Sequence, residues 1–590
     1  MDSDTNQEIV RKNKRFNVKV KHNDRPWDFL DQYRGKDFEG EWPSVVEMFR
    51  ISCKRYPDNL FLHAFSPKEE KFTYREAEKK IEEVSYALLA DGVKKGDKIA
   101  VSGKNSPEWA IAYLAVLFAG AIVVPLDYSL RDNEMEHLIS FGGVSRLFID
   151  KERIGNIDKD GNLGLKKYSL EPDSDYPFVL DMTGEKREAE KSSGNELAAI
   201  LFTSGTTGTP KGVMLSHDNL VSDCYLAQGN MNIYSTDVFY AILPIHHAYT
   251  MLAVFFEAMS VGAAIVFGKK LVVTQILKEL KEGHVTMFLA VPMLFNKMIG
   301  ALMAGVKKKG ALVYGLVRAM MGFSGFVKKV FGVNIGKKMF GFLLKNLSLE
   351  ENRICICGGG PLPASTFKMF NELGIDFVQG YGLTETSPIT HLNPVFAYIE
   401  TSVGKKIPGV EVKIEDPDSD GNGTIYIKGS VVMQGYYNNQ EATDEVLSAD
   451  GWLNTGDVGH QDEKGYLYLT GRAKNIIVTE GGKNVFPEEI EDHFQLYDDI
   501  DQVCVIGYMI DKAMKSEGIR ILIYPAEKYV KSVGGDKAVI EKHMNEIVEE
   551  VNRELQSYKK ITRVTVVDEP MPMTSTKKIK RFEVIRKYGD

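Results

Sequence analysis

Cysteine is scarce in this chain. There are five in 590 residues, Cys53, Cys224, Cys355, Cys357 and Cys504, odd in number and scattered. That excludes a disulfide framework and suits a reducing, cytoplasmic setting. Cys355 and Cys357 form a C-x-C, but no second Cys or His pair follows at metal-site spacing, so both read as buried strand residues. A basic excess is also missing: 73 Lys+Arg stand against 81 Asp+Glu, a formal net charge of −8, which argues against a nucleic-acid partner. Residues 1–24 hold no apolar core, so no secretory signal is expected. A membrane-spanning run is lacking too. Residues 109–126 carry no charge, but Ser106-Pro107-Glu108 before them is a helix-start signature and Gly120 interrupts them. Ala121 to Val124 then reads as a strand, so helix, glycine and buried strand fit better than a span, which would be short of the usual length.

What is present points to several α/β units. At 590 residues the chain exceeds one core, and 44% hydrophobic with 26% charged residues is ordinary for a globular protein. The helix–glycine–strand pattern recurs over residues 252–267, with Gly262 as the break. Two such units imply two sheets covered by helices. Residues 416–423 (DPDSDGNG) are a turn between strands at 410–414 and 424–427, and short strands continue to about residue 469. Beyond 471–474 the character changes to a self-contained α+β unit. It has strands at 475–478, 503–506, 520–523 and 563–567, a helix opening at Pro487 and a long helix at 536–557. The expected class is α/β: a large N-terminal domain (1–471) of two α/β subdomains plus a small β subdomain, a hinge at 472–474, and a smaller mobile C-terminal α+β domain (475–590).

The richest local signal is residues 201–217, LFTSGTTGTPKGVMLSH. An apolar strand runs into Thr203, Ser204, Gly205, Thr206, Thr207 and Gly208, with Lys211 close behind. Glycines let backbone N–H groups turn inward, hydroxyls add donors and the lysine adds charge, which together suit a polyphosphate. A Walker A loop is excluded by spacing: from Gly205 the frame reads GTTGTPKG, with Pro210 for the second glycine and Gly212 for the Mg²⁺-binding hydroxyl residue.

The loop resembles the phosphate loop of the adenylate-forming superfamily, which includes acyl-CoA synthetases, luciferases and peptide-synthetase adenylation domains. Further motifs follow in that family's order from about Glu41 to Arg581. Leu243-Pro244-Ile245-His246-His247-Ala248-Tyr249 is similar to the segment whose histidine, here His247, lies beside the carboxylate pocket. Gly358-Gly359-Gly360-Pro361 matches the turn that adenine lies against, where absent side chains allow a planar ring to approach. Tyr381-Gly382-Leu383-Thr384-Glu385-Thr386 is more specific. The resemblance implies Tyr381 on adenine, Thr384 at the α-phosphate, and Glu385 with Thr206 at Mg²⁺, for which a carboxylate is a hard oxygen ligand. Asp457 in WLNTGD falls on the ribose-binding aspartate, Arg472 on the arginine reaching the nucleotide and Lys474 on the hinge position. Gly481 and Gly482 match the loop lining the pantetheine tunnel. Residues 572–581 (PMTSTKKIKR) match the terminal P-x-T-x-T-G-K-I-x-R, placing Lys578 on the catalytic lysine, with Lys577 in place of the glycine.

The resemblance implies an enzyme in which a carboxylate attacks the α-phosphorus of ATP, followed by domain rotation and thioester formation, normally with CoA. The segments QGYGLTETSP, KNSPEW (104–109) and VPLDYSL (124–130) are most similar to long-chain fatty acyl-CoA synthetases. Acetate-specific relatives carry tryptophan where this chain has Gly382, so Gly382, with Gly380, is expected to leave room for a longer chain. Residues 301–349 contain no Asp or Glu but eight Lys and one Arg among apolar residues. Such a segment fits peripheral contact with an anionic membrane surface as well as it fits a basic insertion packed on the large domain. Other readings remain open: an aryl, amino or medium-chain acid, a carrier-protein thiol as acceptor, or an inactive nucleotide- or acyl-binding protein. The last predicts loss of Glu385, Asp457 or Lys578, and all three are present. Oligomeric state is open, a homodimer included.

Overall fold

Ser106 caps the helix Pro107–Phe118 by accepting a hydrogen bond from the Trp109 N–H at 3.1 Å. Gly120 turns the chain at φ +75°, and the strand Ile122–Leu126 follows. Nearly every residue of that helix is buried, as expected of a helix apolar all round. The second unit repeats the plan: helical turns lead through Glu257–Val261 to Gly262 at φ +75° and the strand Ala264–Phe267. The computed structural model describes residues 25–589 apart from 204–209, 270–271, 396, 480–482, 512–515 and 575–577.

Each unit belongs to its own sheet. The first sheet has six strands in the order Lys166–Ser169, Arg146–Ile149, Lys98–Ser102, Ile122–Leu126, Leu197–Thr203, Lys211–Ser216. All pairs are parallel except the last, where Thr203 pairs with Lys211 at the mouth of the phosphate-loop segment. The second is a series of thirteen strands. Its parallel part includes Ala264–Phe267, Val238–Ala241, Met287–Ala290, Ile354–Cys357 and Asp376–Tyr381. Gly380 and Tyr381 then pair antiparallel with Leu392 and His391, which carries the hydrogen bonding into the small β region without a break. The strands expected at 410–414 and 424–427 form as Glu411–Glu415 and Gly423–Lys428. All five cysteines are buried thiols, Cys355 and Cys357 within a strand as expected.

The C-terminal part has a core of its own, with Ile490, Phe494, Ile521, Ile523, Met544 and Val551 among its members. Three strands, Ile500–Asp511, Ser516–Pro525 and Arg563–Val566, pack against the helix Lys537–Glu554. Asp536 caps that helix by accepting from the Ala538 and Val539 N–H groups. Much of the basic 301–349 segment is the helix Ala311–Phe331, which lies on the helix Ala364–Glu372. No described helix is long and apolar enough to cross a membrane.

Candidate active site

The motifs meet at the carboxyl ends of the parallel strands of the second sheet, the edge where open α/β sheets bind ligands. After the strand Val238–Ala241 the chain turns through Leu243–Tyr249, and Asn105 fixes that turn. Its amide donates to the Ala241 and Leu243 carbonyls at 2.8 Å each, and its carbonyl accepts from the Ile245 N–H at 2.9 Å. His247 follows; burial pushes its pKa down to about 3, so the ring is neutral at ordinary pH. Asp127, His246 and His247 bring ligand atoms within 4.8 Å of one another, an imidazole-rich set that suits a borderline divalent transition metal such as zinc better than Mg²⁺. Tyr249 donates to the Ile356 carbonyl at 3.1 Å, and its ring covers Gly358, where a Cβ would lie 2.9 Å away. Gly359 holds φ +81°, so the Gly358–Pro361 turn needs glycine for both space and conformation.

Two carboxylates belong to the motif set. Asp457 is buried; its two oxygens take the Tyr381 hydroxyl at 2.7 Å and the Arg472 Nε at 2.9 Å. Burial raises its pKa, while Arg472 and the Tyr381 hydrogen bond oppose that rise. A carboxylate oxygen has about two acceptor sites, so each oxygen keeps one for a ligand hydroxyl. Glu385, in the short turn Thr384–Thr386, accepts from the Tyr436 hydroxyl at 2.8 Å, and the Lys211 ammonium sits 4.7 Å from the Tyr436 ring centre. Glu385, Tyr436 and Lys211 thus form one cluster beside Thr203, the strand partner of Lys211. A half-buried carboxylate with one oxygen anchored fits Mg²⁺, which keeps several waters and takes one or two protein carboxylates.

Gly382 departs from expectation. The residue is exposed in the cleft, but a Cβ there would lie 1.5 Å from the Pro388 carbonyl oxygen. The missing side chain therefore makes way for backbone, not for an acyl chain. That backbone is fixed: Thr386 Oγ1 donates to Pro388 O at 3.0 Å and the Ile389 N–H donates to buried Asp223 at 3.0 Å.

Lys578 enters from the C-terminal part. Met573 and Ile579 form an antiparallel bridge, beside which Lys578 N–H donates to Thr574 Oγ1 at 3.1 Å and Thr574 N–H to the Lys578 carbonyl at 2.8 Å. Arg581 anchors the chain after this bridge through Glu491 at 2.8 Å and the Val505 carbonyl. The lysine Cε lies 4.0 Å from the β-position of Gly359. Its side chain keeps solvent contact from the cleft while protein surrounds it on most sides; that desolvation, with Arg472 nearby, lowers its pKa, and Asp457 acts the other way. Gln495 seals the same junction by donating to the Pro361 carbonyl at 3.3 Å and accepting from Asn296 at 3.1 Å. A cavity of about 390 Å³ opens beside it, lined by Lys104, Tyr128, Pro244, Lys269, Met573 and Thr574. A larger open depression of about 700 Å³, around Phe65, Glu69, Lys278 and Glu351, contains none of the motif residues.

Thus Thr203, Lys211, His247, Gly358, Gly359, Gly360, Pro361, Tyr381, Thr384, Glu385, Asp457, Arg472 and Lys578 line or adjoin one cleft. Lys474 is exposed in the turn Ala473–Asn475 that follows it. Ser204, Gly205, Thr206, Thr207, Gly208, Gly481, Gly482 and Lys577 lie outside the described residues. Sequence reading missed Tyr436, Asp223 and Asn105. Tyr436 left a trace in the aromatic, turn-rich run Gly435-Tyr436-Tyr437-Asn438-Asn439, and Asn105 lies in the KNSPEW segment.

The profile of the AMP-binding enzyme family matches residues 49–437, and that of the AMP-binding enzyme C-terminal domain matches residues 474–590. The long-chain-fatty-acid–CoA ligase heimdall of Drosophila melanogaster is 28% identical over 493 residues, 76% of this chain and 72% of its own length. A chloroplastic long-chain-fatty-acid–acyl-carrier-protein ligase of Arabidopsis thaliana is 26% identical, covering 93% of this chain and 86% of that protein. A feruloyl-CoA synthase of an Amycolatopsis species is 27% identical over 88% of this chain and 94% of its own. The fold is that of ATP-bound MatB from Rhodopseudomonas palustris, with a TM-score of 0.72 at 24% identity, covering 92% of this chain and 99% of that one.

Proposed function

The chain belongs to the AMP-binding enzyme family, and from that membership we propose that it is an ATP-dependent ligase joining a long-chain fatty acid to the thiol of CoA. One observation carries the adenylation step: Lys578, borne by the C-terminal part, reaches the Gly358–Pro361 turn beside His247, Asp457 and Arg472.

The first half-reaction brings together two anions that repel each other, a carboxylate and a triphosphate. A carboxylate oxygen attacks the α-phosphorus, the bond to the β-phosphate oxygen breaks, and pyrophosphate leaves with the electron pair. Asp457 holds the ribose hydroxyls with its remaining acceptor sites, positioned by Tyr381 and Arg472. Tyr381 and the glycine turn sandwich the adenine, and Gly382 narrows the loop beside it. Thr384 and Lys578 lie at the α-phosphate, where the ammonium offsets charge on both reactants in a cleft that partly excludes water. Neutral His247 borders the carboxylate without adding a charge. Thr203, Lys211 and the 204–208 run receive the outer phosphates. Mg²⁺, when bound, offsets negative charge on the leaving pyrophosphate, and Glu385 with Thr206 would hold it.

In the second half-reaction the thiol sulfur attacks the acyl carbon, AMP leaves, and the thiol proton passes to solvent. Lys578 has no part in that step. A swivel of residues 475–590 about Lys474 withdraws it and brings the Gly481–Gly482 loop to the cleft for pantetheine. The names of two relatives support a long-chain acid, as do the segments around Tyr381 and Trp109; Gly382 no longer does. A feruloyl-CoA synthase and a carrier-protein ligase of equal similarity keep an aryl acid and a carrier thiol as the readings to test against.

Incubation with ATP, Mg²⁺ and a panel running from acetate to stearate, with benzoate and ferulate, tests this directly. The expected result is pyrophosphate release and acyl-CoA formation greatest for the long-chain acids. Preference for ferulate, or transfer to a carrier protein in place of CoA, would refute the finer reading; no pyrophosphate with any acid would refute the enzyme. Asp457→Ala should weaken ATP binding by roughly 100-fold, because it removes the ribose acceptor and the carboxylate that positions Tyr381 and Arg472. Calorimetric titration with a non-hydrolysable ATP analogue measures it, and unchanged affinity would move the ribose elsewhere.

A further inference from the structure

The basic 301–349 segment is both a packed insertion and an exposed face. On the helix Ala311–Phe331, Val317, Met321 and Ser324 are buried against the helix Ala364–Glu372, which follows the Gly358–Pro361 turn. The other side is bare. Leu312 is 91% exposed, and Leu316, Phe323, Phe326 and Val330 are each about 60% exposed. Positions 312, 316, 323, 326 and 330 fall within one arc of a 3.6-residue helix, so they form a single apolar stripe. Phe331, Val333 and Phe342 extend it beyond the helix end. Large aromatic residues held in water at this density mark an interaction surface.

The charges around the stripe say what kind. Three of the nine cations in 301–349 are neutralised within the fold: Arg318 by Glu372, Lys328 by Asp376 and Lys329 by Glu400. Lys337 is tied to the Asn352 carbonyl. Lys307, Lys308, Lys309, Lys338 and Lys345 are exposed and pair with no acidic side chain among the described residues. The first three stand just before the helix start, where Leu312 is most exposed; the last two flank Phe342. The chain as a whole is acidic, at −8, so this is a local inversion of sign.

We propose that the exposed stripe of the Ala311–Phe331 helix, with its flanking lysines, docks this protein on the surface of a membrane containing anionic lipids. The apolar side chains sit at the boundary of headgroups and acyl chains, while the lysines reach back to the phosphates. A second copy of the chain fits less well, because pairing two such faces sets like charges against each other. Docking there places the bilayer against the helix behind the adenine turn, so an insoluble fatty acid need not cross water to reach the cleft. That use rests on the long-chain reading above; the docking itself does not.

Flotation of the full chain with vesicles separates the outcomes. Vesicles of phosphatidylcholine with phosphatidylglycerol should retain on the order of tenfold more protein than phosphatidylcholine alone, with the difference fading in high salt. Phe323→Ser with Phe326→Ser should abolish retention on both. Lys307→Glu with Lys308→Glu and Lys309→Glu should reduce retention to the neutral-vesicle level. Both variants should keep the parent melting temperature and its rate with a water-soluble medium-chain acid. No retention of the parent, or retention indifferent to both variants, overturns the proposal. So does concentration-dependent self-association that the phenylalanine variant abolishes while neither form binds vesicles; that result makes the stripe an interface between copies. Vesicle binding without activity on any long-chain acid leaves docking standing and refutes the substrate instead.

Discussion

Lys578→Ala should lower the rate of acyl-AMP formation on the order of 1,000-fold, the scale for removing one charged donor from a preorganised site. The ammonium is the cleft's contribution from the C-terminal part, and it stands beside the Gly359 turn, Arg472 and Asp457. Folding should survive, because the side chain retains solvent contact and the flanking residues are held by the Thr574–Lys578 backbone bond and by Arg581. Thioester formation from supplied acyl-AMP should change little, since the lysine has left by then. A pH profile adds a second readout. Lys578 acts when protonated and its pKa is lowered from the ordinary 10.5, so adenylation should fall as pH rises through that lowered value. The second half-reaction should lack that alkaline limb. Equal loss of both half-reactions in the variant, or a limb shared by both, would contradict the assignment.

Gly382→Ala should destabilise the protein by about 3 kcal/mol or more without changing chain-length preference. The new Cβ would meet the Pro388 carbonyl oxygen at 1.5 Å, and that oxygen cannot withdraw cheaply because Thr386 and Asp223 hold the loop on both sides. Thermal unfolding and the acid panel together decide it. A normal melting temperature with a shift to shorter acids would restore the view that this glycine sets acyl room.

The same glycine shows where sequence reading stops. The family resemblance pointed to Asp457, Glu385, Arg472 and Lys578 as one set because each lies in a distinctive run, although 76 residues separate Tyr381 from its hydrogen-bond partner Asp457. Periodicity and breakers were enough for the helix–glycine–strand units and for the later C-terminal strands and helix, but not at 475–478, where a turn at Ala473–Asn475 leaves only Ile477–Val478 as strand. Function of a glycine is another matter, since the same absence serves a ligand or a neighbouring backbone, and only the neighbour's position tells which. Asp223 and Asn105 were invisible for a related reason. Asp223 sits in an unremarkable stretch and Asn105 in a segment whose resemblance assigns it no role, and each works by bonding to backbone far away, 166 residues on for Asp223 and up to 140 for Asn105. The basic 301–349 segment divided along the helix itself, three cations turned to the fold and an apolar stripe turned outward, a division that composition does not reveal.

The central claim is that one cleft serves two reactions because the C-terminal part changes place between them. Asn296→Cys with Gln495→Cys puts a thiol on each side of the junction, where these two side chains now share a 3.1 Å hydrogen bond. All five native cysteines are buried, so a short bismaleimide should join only the new pair. The crosslinked protein should still release pyrophosphate and hold acyl-AMP, but form no acyl-CoA, while the unlinked variant does both. Acyl-CoA production undiminished by the crosslink would mean that Lys578 never needs to leave, and the two-state account would be wrong.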